Sequence, residues 1–362
     1  MLINTQEFKN AITNASLSTI KDKDNILHNI LIEQKGKTME IRAQSNTTRL
    51  IERIETDDEQ EFTFALDPQK VINILKEIKE EKIEIQPEDK TILIKSGNFK
   101  TTIKTQSAQL FPTLEEREKI KLCEVDSEKI KKLIKQTIYC PDKNDIAREY
   151  TGIYIELGEN SIKATATDHY RLINVKSQLE VEEPRDFILE NSGANLINRI
   201  PLKGKLKLYY TDDEITLKGD NIEVSSKLIR GTFPDYNQIL LNRETSSVIE
   251  VDRERLREAV KRSSVISENR EITVKIEQEN STITITSVNT EGEEAQDMLS
   301  FKPLDLKNNL IIKLDAKFIL DFLNQVVSDS VVFIYRTSEE PVMFEAEEED
   351  YSYKYITTPI IE

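Results

Sequence analysis

The sequence predicts an α+β chain in which one unit, two helices packed on antiparallel strands, is built three times. Three observations predict it. Apolar landmarks recur at steps of about a third of the 362 residues. Each landmark is a strand-like run followed by a helical period. Alternating hairpins sit at matching places in the first two copies.

The first element of each copy is a strand leading into a helix. Met1-Leu2-Ile3 precedes a helix over Gln6 to Ser16, Leu122 to Val125 precedes one over Ser127 to Tyr139, and Val248 to Val251 precedes one over Arg253 to Val265. Aligning Phe8, Ile130 and Leu256 gives steps of 122 and 126. In the second of these helices Ile130, Leu133, Ile134 and Ile138 share one face, the stripe a helix needs to pack on a sheet.

A second strand and helix follow in each third. The strands are Phe62 to Leu66, Phe187 to Leu189 and Leu310 to Leu314. The helices align Val71, Leu196 and Phe318 at steps of 125 and 122, the first spanning 68–80 and the second lying near 194–201. Hairpins complete the unit. Thr91 to Lys95 and Phe99 to Thr105 alternate around Ser96-Gly97-Asn98, and Glu214 to Lys218 and Ile222 to Ile229 alternate around Gly219-Asp220-Asn221. Those two copies close with Phe111-Pro112 and Phe233-Pro234, each proline 15 residues after its turn glycine; the third closes with Thr358-Pro359. The expected domains are 1–120, 121–245 and 246–362.

Composition excludes several function classes. There are 9 glycines, far below the average of about 7%, and no G-x-x-x-x-G-K-[ST] or G-x-G-x-x-G. P-loop and dinucleotide sites are therefore not expected, and neither is any cofactor. Asp168-His169 invites a catalytic dyad, but strand neighbours point to opposite faces, and His28 and His169 are the only histidines. Asp212-Asp213-Glu214 reads as a hairpin turn rather than a metal site. Cys123 and Cys140 lack partners at zinc spacing and read as free thiols in a reducing compartment. Neither a secretory signal nor an 18-residue apolar span is seen, so a cytoplasmic protein is expected, and the lack of a nucleophile elbow with only two histidines argues against a hydrolase.

Charge is unevenly spread. The net charge is −16 from 50 basic and 66 acidic residues. Residues 1–120 carry 18 basic and 21 acidic side chains, 121–245 carry 19 and 21, and 246–362 carry 13 and 24. The run Glu345 to Asp350 reads as a solvated loop or hairpin. Against this acidic background the outer helix faces are basic: Lys76 and Lys79; Lys131, Lys132 and Lys135; Arg199 with Lys203 and Lys205; and Arg257, Lys261 and Arg262, partly offset by Glu254 and Glu258. Such faces attract phosphates without reading bases.

Taken together, the repeats and local signatures resemble the bacterial sliding clamp family, the beta subunit of DNA polymerase III. Ala166-Thr167-Asp168-His169-Tyr170-Arg171-Leu172 is similar to the family's Thr-Asp-Gly-His-Arg-Leu segment. Arg230-Gly231-Thr232-Phe233-Pro234-Asp235-Tyr236 is similar to its Gly-x-Phe-Pro-Asp-Tyr segment, and Tyr355 to Glu362 resembles its Tyr-Val-x-x-Pro ending.

The resemblance implies a head-to-tail ring of two chains with six clamp domains, twelve helices lining a basic bore, and an acidic exterior. Its function is to encircle duplex DNA without sequence preference and to tether the polymerase III alpha subunit, the clamp loader and other proteins carrying a clamp-binding motif. The divergent alternatives are a clamp-fold interaction protein, or a structural repeat protein, outside replication.

By matching position the resemblance places a peptide-binding pocket at Tyr150, Thr167, His169, Tyr170, Arg171, Leu172, Pro234, Gln238, Ile239, Pro341, Ile356, Thr357, Thr358, Pro359 and Ile360. Apolar walls would hold the peptide's anchors, and Arg171 with the hydroxyls would orient its backbone. Lys21, Lys23, Lys76, Lys132, Lys135, Arg148, Arg199 and Lys205 are expected to face DNA. Ile103, Val265 and Ile266 are expected at the dimer interface. Four positions depart from the family pattern: His169 stands where the family has glycine, Tyr170 where it has histidine, Gln238 where it has arginine, and Glu362 where an apolar or basic end is common.

Overall fold

The computed structural model describes residues 1–113 and 117–361; Glu362 lies outside the described residues. Six α-helices occur among them: α1 (Thr5–Ser16), α2 (Pro68–Glu77), α3 (Ser127–Lys135), α4 (Asn191–Arg199), α5 (Arg253–Ser263) and α6 (Ala316–Leu323). Each begins where a strand ends, and acceptor side chains mark the starts. Asn4 accepts from the Glu7 amide, Asp67 from Gln69, Asp252 from Arg255, and Asp315 from Lys317 and Phe318. Each such contact satisfies one otherwise orphaned first-turn donor and contributes about 1 kcal/mol.

Two helices are shorter than their apolar period suggests. α3 ends at Lys135 rather than Tyr139. Just beyond it the Thr137 hydroxyl donates to the carbonyls of Leu133 and Ile134, competing with the helical ladder. Ile138 is only half-buried, so Ile130, Leu133 and Ile134 carry the packing. α2 stops at Glu77, where Ile78 turns extended. α4 starts three residues before its expected position, at Asn191. It ends at Arg199, because Ile200 precedes Pro201 and takes φ −78°, ψ 147°. Its Gly193 lies against Ser226, where a Cβ would come within 1.8 Å of the hydroxyl oxygen, so only glycine fits.

The chain packs as two compact units. One holds Met1–Lys131 and Leu189–Ile229; the other holds Lys132–Ile188 and the chain from Arg230 onward. The middle third is thus shared, and strand pairing explains why. In the first unit one antiparallel series runs through Phe62–Leu66, Ile30–Lys35, Thr38–Gln44 and Thr48–Glu55. It continues into Ile222–Ile229, Glu214–Lys218, Lys205–Tyr210 and Ile120–Asp126. The join sets Leu50 opposite Val224, both fully buried.

The second unit repeats the device. Ile153–Gly158, Ser161–Thr167 and Arg171–Gln178 pair in turn, and the last pairs with Tyr351–Thr357. Val342–Glu347, Ser330–Tyr335 and Ser247–Asp252 follow. Here Leu172 faces Ile356 across the join.

Each unit also has a four-stranded antiparallel sheet. In the first, Leu2–Asn4, Lys82–Pro87, Thr91–Ser96 and Phe99–Lys104 leave Phe99–Lys104 on an edge. In the second, Glu294–Ser300 is the edge beside Thr282–Val288, Glu271–Glu277 and Leu310–Asp315. Helices pack on the sheets with apolar faces: α1 lies against Thr38–Gln44 and Thr48–Glu55 and buries Phe8, Ala11, Ile12 and Ala15, while α5 lies against Thr282–Val288 and Glu294–Ser300 and buries Leu256, Ala259 and Val260. Burying a large aliphatic or aromatic side chain contributes about 1.5–3 kcal/mol. Among the described residues no helix is long and apolar enough to cross a membrane.

Within the acidic run, expected to be solvated, Glu348 differs from expectation. Glu348 sits at the hairpin turn between Val342–Glu347 and Tyr351–Thr357. Its side chain is only 7% exposed and accepts from Lys132 Nζ at 2.6 Å, Tyr353 Oη at 2.9 Å and the Val327 amide at 2.9 Å. A carboxylate with three donors leaves water at little cost.

Candidate functional site

The motif Thr167 to Leu172 is a tight turn between Ser161–Thr167 and Arg171–Gln178. Asp168 organises it: one carboxylate oxygen accepts from the Tyr170 and Arg171 amides, the other from Arg171 Nε at 2.8 Å. The Thr167 hydroxyl donates to the Arg171 carbonyl at 2.6 Å. His169 takes φ +72°, the left-handed region that non-glycine residues rarely enter.

Arg171 does not reach toward a ligand, contrary to the expectation that it orients a peptide. Its side chain is 6% exposed, and all its nitrogens are occupied. Beside Asp168, it donates to Asp321 at 2.6 Å and to the Tyr139 carbonyl at 3.0 Å, and it lies 4.3 Å from the Phe318 ring centre. It is a strut that holds the turn to α6. Asp321 belongs to no motif, and Phe318 and Tyr139 are marked in the sequence only as a repeat landmark and a helix end, so no sequence signal assigns the three to this site. Beneath the turn, burial pushes the Cys140 thiol well above its ordinary range, which keeps it from acting as a nucleophile.

His169 pairs elsewhere. Its Nε2 lies 2.5 Å from Asp145 Oδ2, and its ring packs 4.0 Å from that of Tyr150. Asp168 is taken by Arg171, so the sequence neighbours form no dyad. The Ala147 amide, then His169, holds the Asp145 carboxyl below its usual range. Tyr150 in turn lies 6.5 Å from Phe233, which stacks on Tyr154 at 4.8 Å. The two sequence motifs therefore meet through one aromatic ladder. Tyr236 anchors the second motif by donating to Glu156 and accepting from Asn174. Asp235 caps the short turn Tyr236–Ile239 and accepts from Gln238 Nε2 at 3.1 Å.

The C-terminal stretch completes the cluster. Arg171 pairs opposite Thr357 and Leu172 opposite Ile356, while Val342, next to Pro341, pairs opposite Thr357. The Thr358 amide donates to the Tyr170 carbonyl at 2.9 Å, and the Ile360 amide to the Lys313 carbonyl at 2.9 Å. Thr358, Pro359, Ile360, Pro341 and Tyr150 are half-buried. Leu172, expected as a wall, is 3% exposed, and Ile356 opposite it is 2% exposed, so the pair presents almost no surface and forms a floor. The open apolar surface comes from Tyr170 at 65%, Ile239 at 47%, and Pro234.

Of the basic candidates, Lys21, Lys23, Lys76, Lys135, Arg148, Arg199 and Lys205 are exposed and, among the described residues, form no ion pair. Lys132 is a correction. Its ammonium is held by Glu348 and lies 4.0 Å from the Tyr351 ring centre, so it is not free for a phosphate. The face of α5 is partly neutralised: Arg257 pairs with Glu254, and Arg262 with Glu258 and Asp297, while Lys261 stays exposed. Asp213 pairs with Arg117 and Glu214 with Arg49, at the hairpin turn the sequence suggests.

The interface candidates divide. Val265 is 78% exposed and Ile266 half-buried in the turn Ser264–Ile266. Ile103 is only 5% exposed. Phe99, four residues earlier and so on the same face of the edge strand, is 48% exposed where the strand leaves its turn.

A thrice-repeated unit of paired helices on antiparallel sheets, with sheet joins between successive copies, defines the class of DNA clamp folds. Family comparison agrees from end to end. Residues 1–115 match the N-terminal domain of the DNA polymerase III beta subunit, 124–235 its central domain and 238–360 its C-terminal domain. The chain belongs to the DNA polymerase III beta subunit family. A curated relative, the beta sliding clamp of Pseudomonas putida, is 25% identical over 336 residues, covering 91% of this chain and 90% of the relative. A Pseudomonas aeruginosa sliding clamp bound to griselimycin superposes with a TM-score of 0.92 at 22% identity, covering 100% of this chain and 99% of that one. The beta subunit from Thermotoga maritima gives 0.90 at 24%, with the same coverage. At such identities these structures speak to the fold.

Proposed function

We propose that this chain is a DNA sliding clamp, a non-catalytic processivity factor that encircles duplex DNA and tethers the replicative polymerase. The observation that carries the reading is the match of three successive beta-subunit domains in order along the chain. The working division is three clamp domains, 1–120, 121–245 and 246–362, and two chains close a cytoplasmic ring of six. Two features support closure: the edge strands Phe99–Lys104 and Glu294–Ser300 end their sheets, and open edges invite pairing with another copy. Phe99, Val265 and Ile266 supply apolar surface near those edges.

DNA is held by unpaired cations, Lys21, Lys23, Lys76, Lys135, Arg148, Arg199 and Lys205, through phosphates alone. The tails of the polymerase alpha subunit, the clamp loader and other motif-bearing proteins dock on the surface of Tyr170, Pro234, Ile239 and Pro359. The floor of Leu172 and Ile356 supports them. The test is topological. Loaded protein should stay on a nicked circle and leave once that circle is cut; equal retention on both forms refutes the reading.

A further inference from the structure

The strained turn residue carries a side chain that its own turn does not use. His169 sits at φ +72°, a conformation glycine adopts freely and a histidine only at a cost. The turn itself does not need the imidazole, since Asp168 and Thr167 already supply its hydrogen bonds. Yet the side chain is fixed from two sides, by Asp145 at 2.5 Å and by the Tyr150 ring at 4.0 Å. It is still 48% exposed and is followed directly by the exposed Tyr170. A strained residue that is held rigidly and left open to solvent suggests a contact made with something else.

We infer that His169, locked by Asp145 and Tyr150, is a specificity-determining ridge at the rim of the peptide groove. The ridge selects partner tails with a small residue at the position that meets it and disfavours tails that are bulky there. The inference rests on the groove reading above and adds the basis of selection. A rigid ridge acts by exclusion, because a side chain that cannot swing aside turns steric overlap into lost affinity.

The test uses the full-length protein and a synthetic C-terminal tail peptide of a bacterial replicative polymerase, with an alanine scan of that peptide. His169→Gly removes the ridge and suits the backbone. His169→Asn keeps a side chain that tolerates the left-handed region but is too short to reach both partners. His169→Gly should bind the parent tail at least about tenfold more tightly, with His169→Asn between. That gain should vanish for one alanine-scan peptide, the one already small at the ridge. Ile239→Asp, measured alongside, should weaken every peptide. Loss of binding in Ile239→Asp with no gain in His169→Gly overturns the ridge and spares the groove. Unchanged binding in Ile239→Asp overturns both. A gain spread evenly over all scan peptides also overturns the ridge, since selection would then be absent. Thermal melting of His169→Gly no lower than the parent's excludes a folding artefact; a lower melting temperature would mean the imidazole serves the fold, and would also overturn the proposal.

Discussion

Lys132 Nζ lies 2.6 Å from Glu348 Oε2, across 216 residues of chain, with the Tyr351 ring centre 4.0 Å away. Gln136, one helical turn on, donates to Tyr353, which also bonds Glu348. A lysine that reads as part of a phosphate-binding face is thus the cap of a polar network.

The first prediction separates it from its neighbour. Lys135→Ala should reduce the salt slope of DNA binding by about one unit, as the loss of one phosphate contact does. Lys132→Ala should leave that slope unchanged and instead lower the urea midpoint, because Glu348 keeps only two donors. Equal slope changes in both variants would return Lys132 to the DNA surface.

The second concerns the strut. Asp321→Ala leaves the Arg171 guanidinium short of a partner in a nearly closed site, which should cost roughly 3 kcal/mol in denaturant unfolding. The double variant Arg171→Met, Asp321→Ala should cost less than the sum of the two single changes, since either single change already breaks the Arg171–Asp321 pair, while Asp168 loses its cation only through the Arg171 change. Strict additivity would show that the pair does not act as a unit.

The third concerns assembly. Phe99→Asp and Val265→Asp place charge on exposed sites and should give folded monomers by light scattering. Ile103→Asp should instead unfold its unit, because the side chain is 5% exposed. A folded monomer from Ile103→Asp, with dimers from the other two, would reverse the assignment of the edge.

The fourth concerns the partner surface. Ile239→Asp should weaken a polymerase-tail peptide by at least about tenfold, or about 1.4 kcal/mol, in calorimetry, with fold and dimer intact. Leu172→Asp is expected to lower stability as well, since Leu172 faces Ile356 in the floor. Intact stability with lost binding in Leu172→Asp would instead make it an open pocket wall.

Much of this molecule is written locally. Helix starts follow Asn4, Asp67, Asp252 and Asp315, and the strands Phe62–Leu66, Glu214–Lys218 and Ile222–Ile229 appear where alternation places them. Such features depend on neighbours within a few residues, so periodicity and capping chemistry are enough to find them. The three-fold repeat and the motif positions follow for the same reason.

What only the tertiary structure decided is which edges meet and what each polar side chain faces. Nothing in the chain order says that Thr48–Glu55 pairs with Ile222–Ile229, or Arg171–Gln178 with Tyr351–Thr357. These joins divide the middle third between two units. They also bring distant groups together: Asp321 to Arg171 over 150 residues, Asp145 to His169 over 24, and Glu348 to Lys132. Leu172 and Ile103 are apolar by identity, and alternation says which neighbours share their face, but neither shows which face is buried. That depends on the layer packed against the strand, and burial in turn decides whether an arginine is a strut or a ligand, and whether a lysine meets a phosphate or a carboxylate.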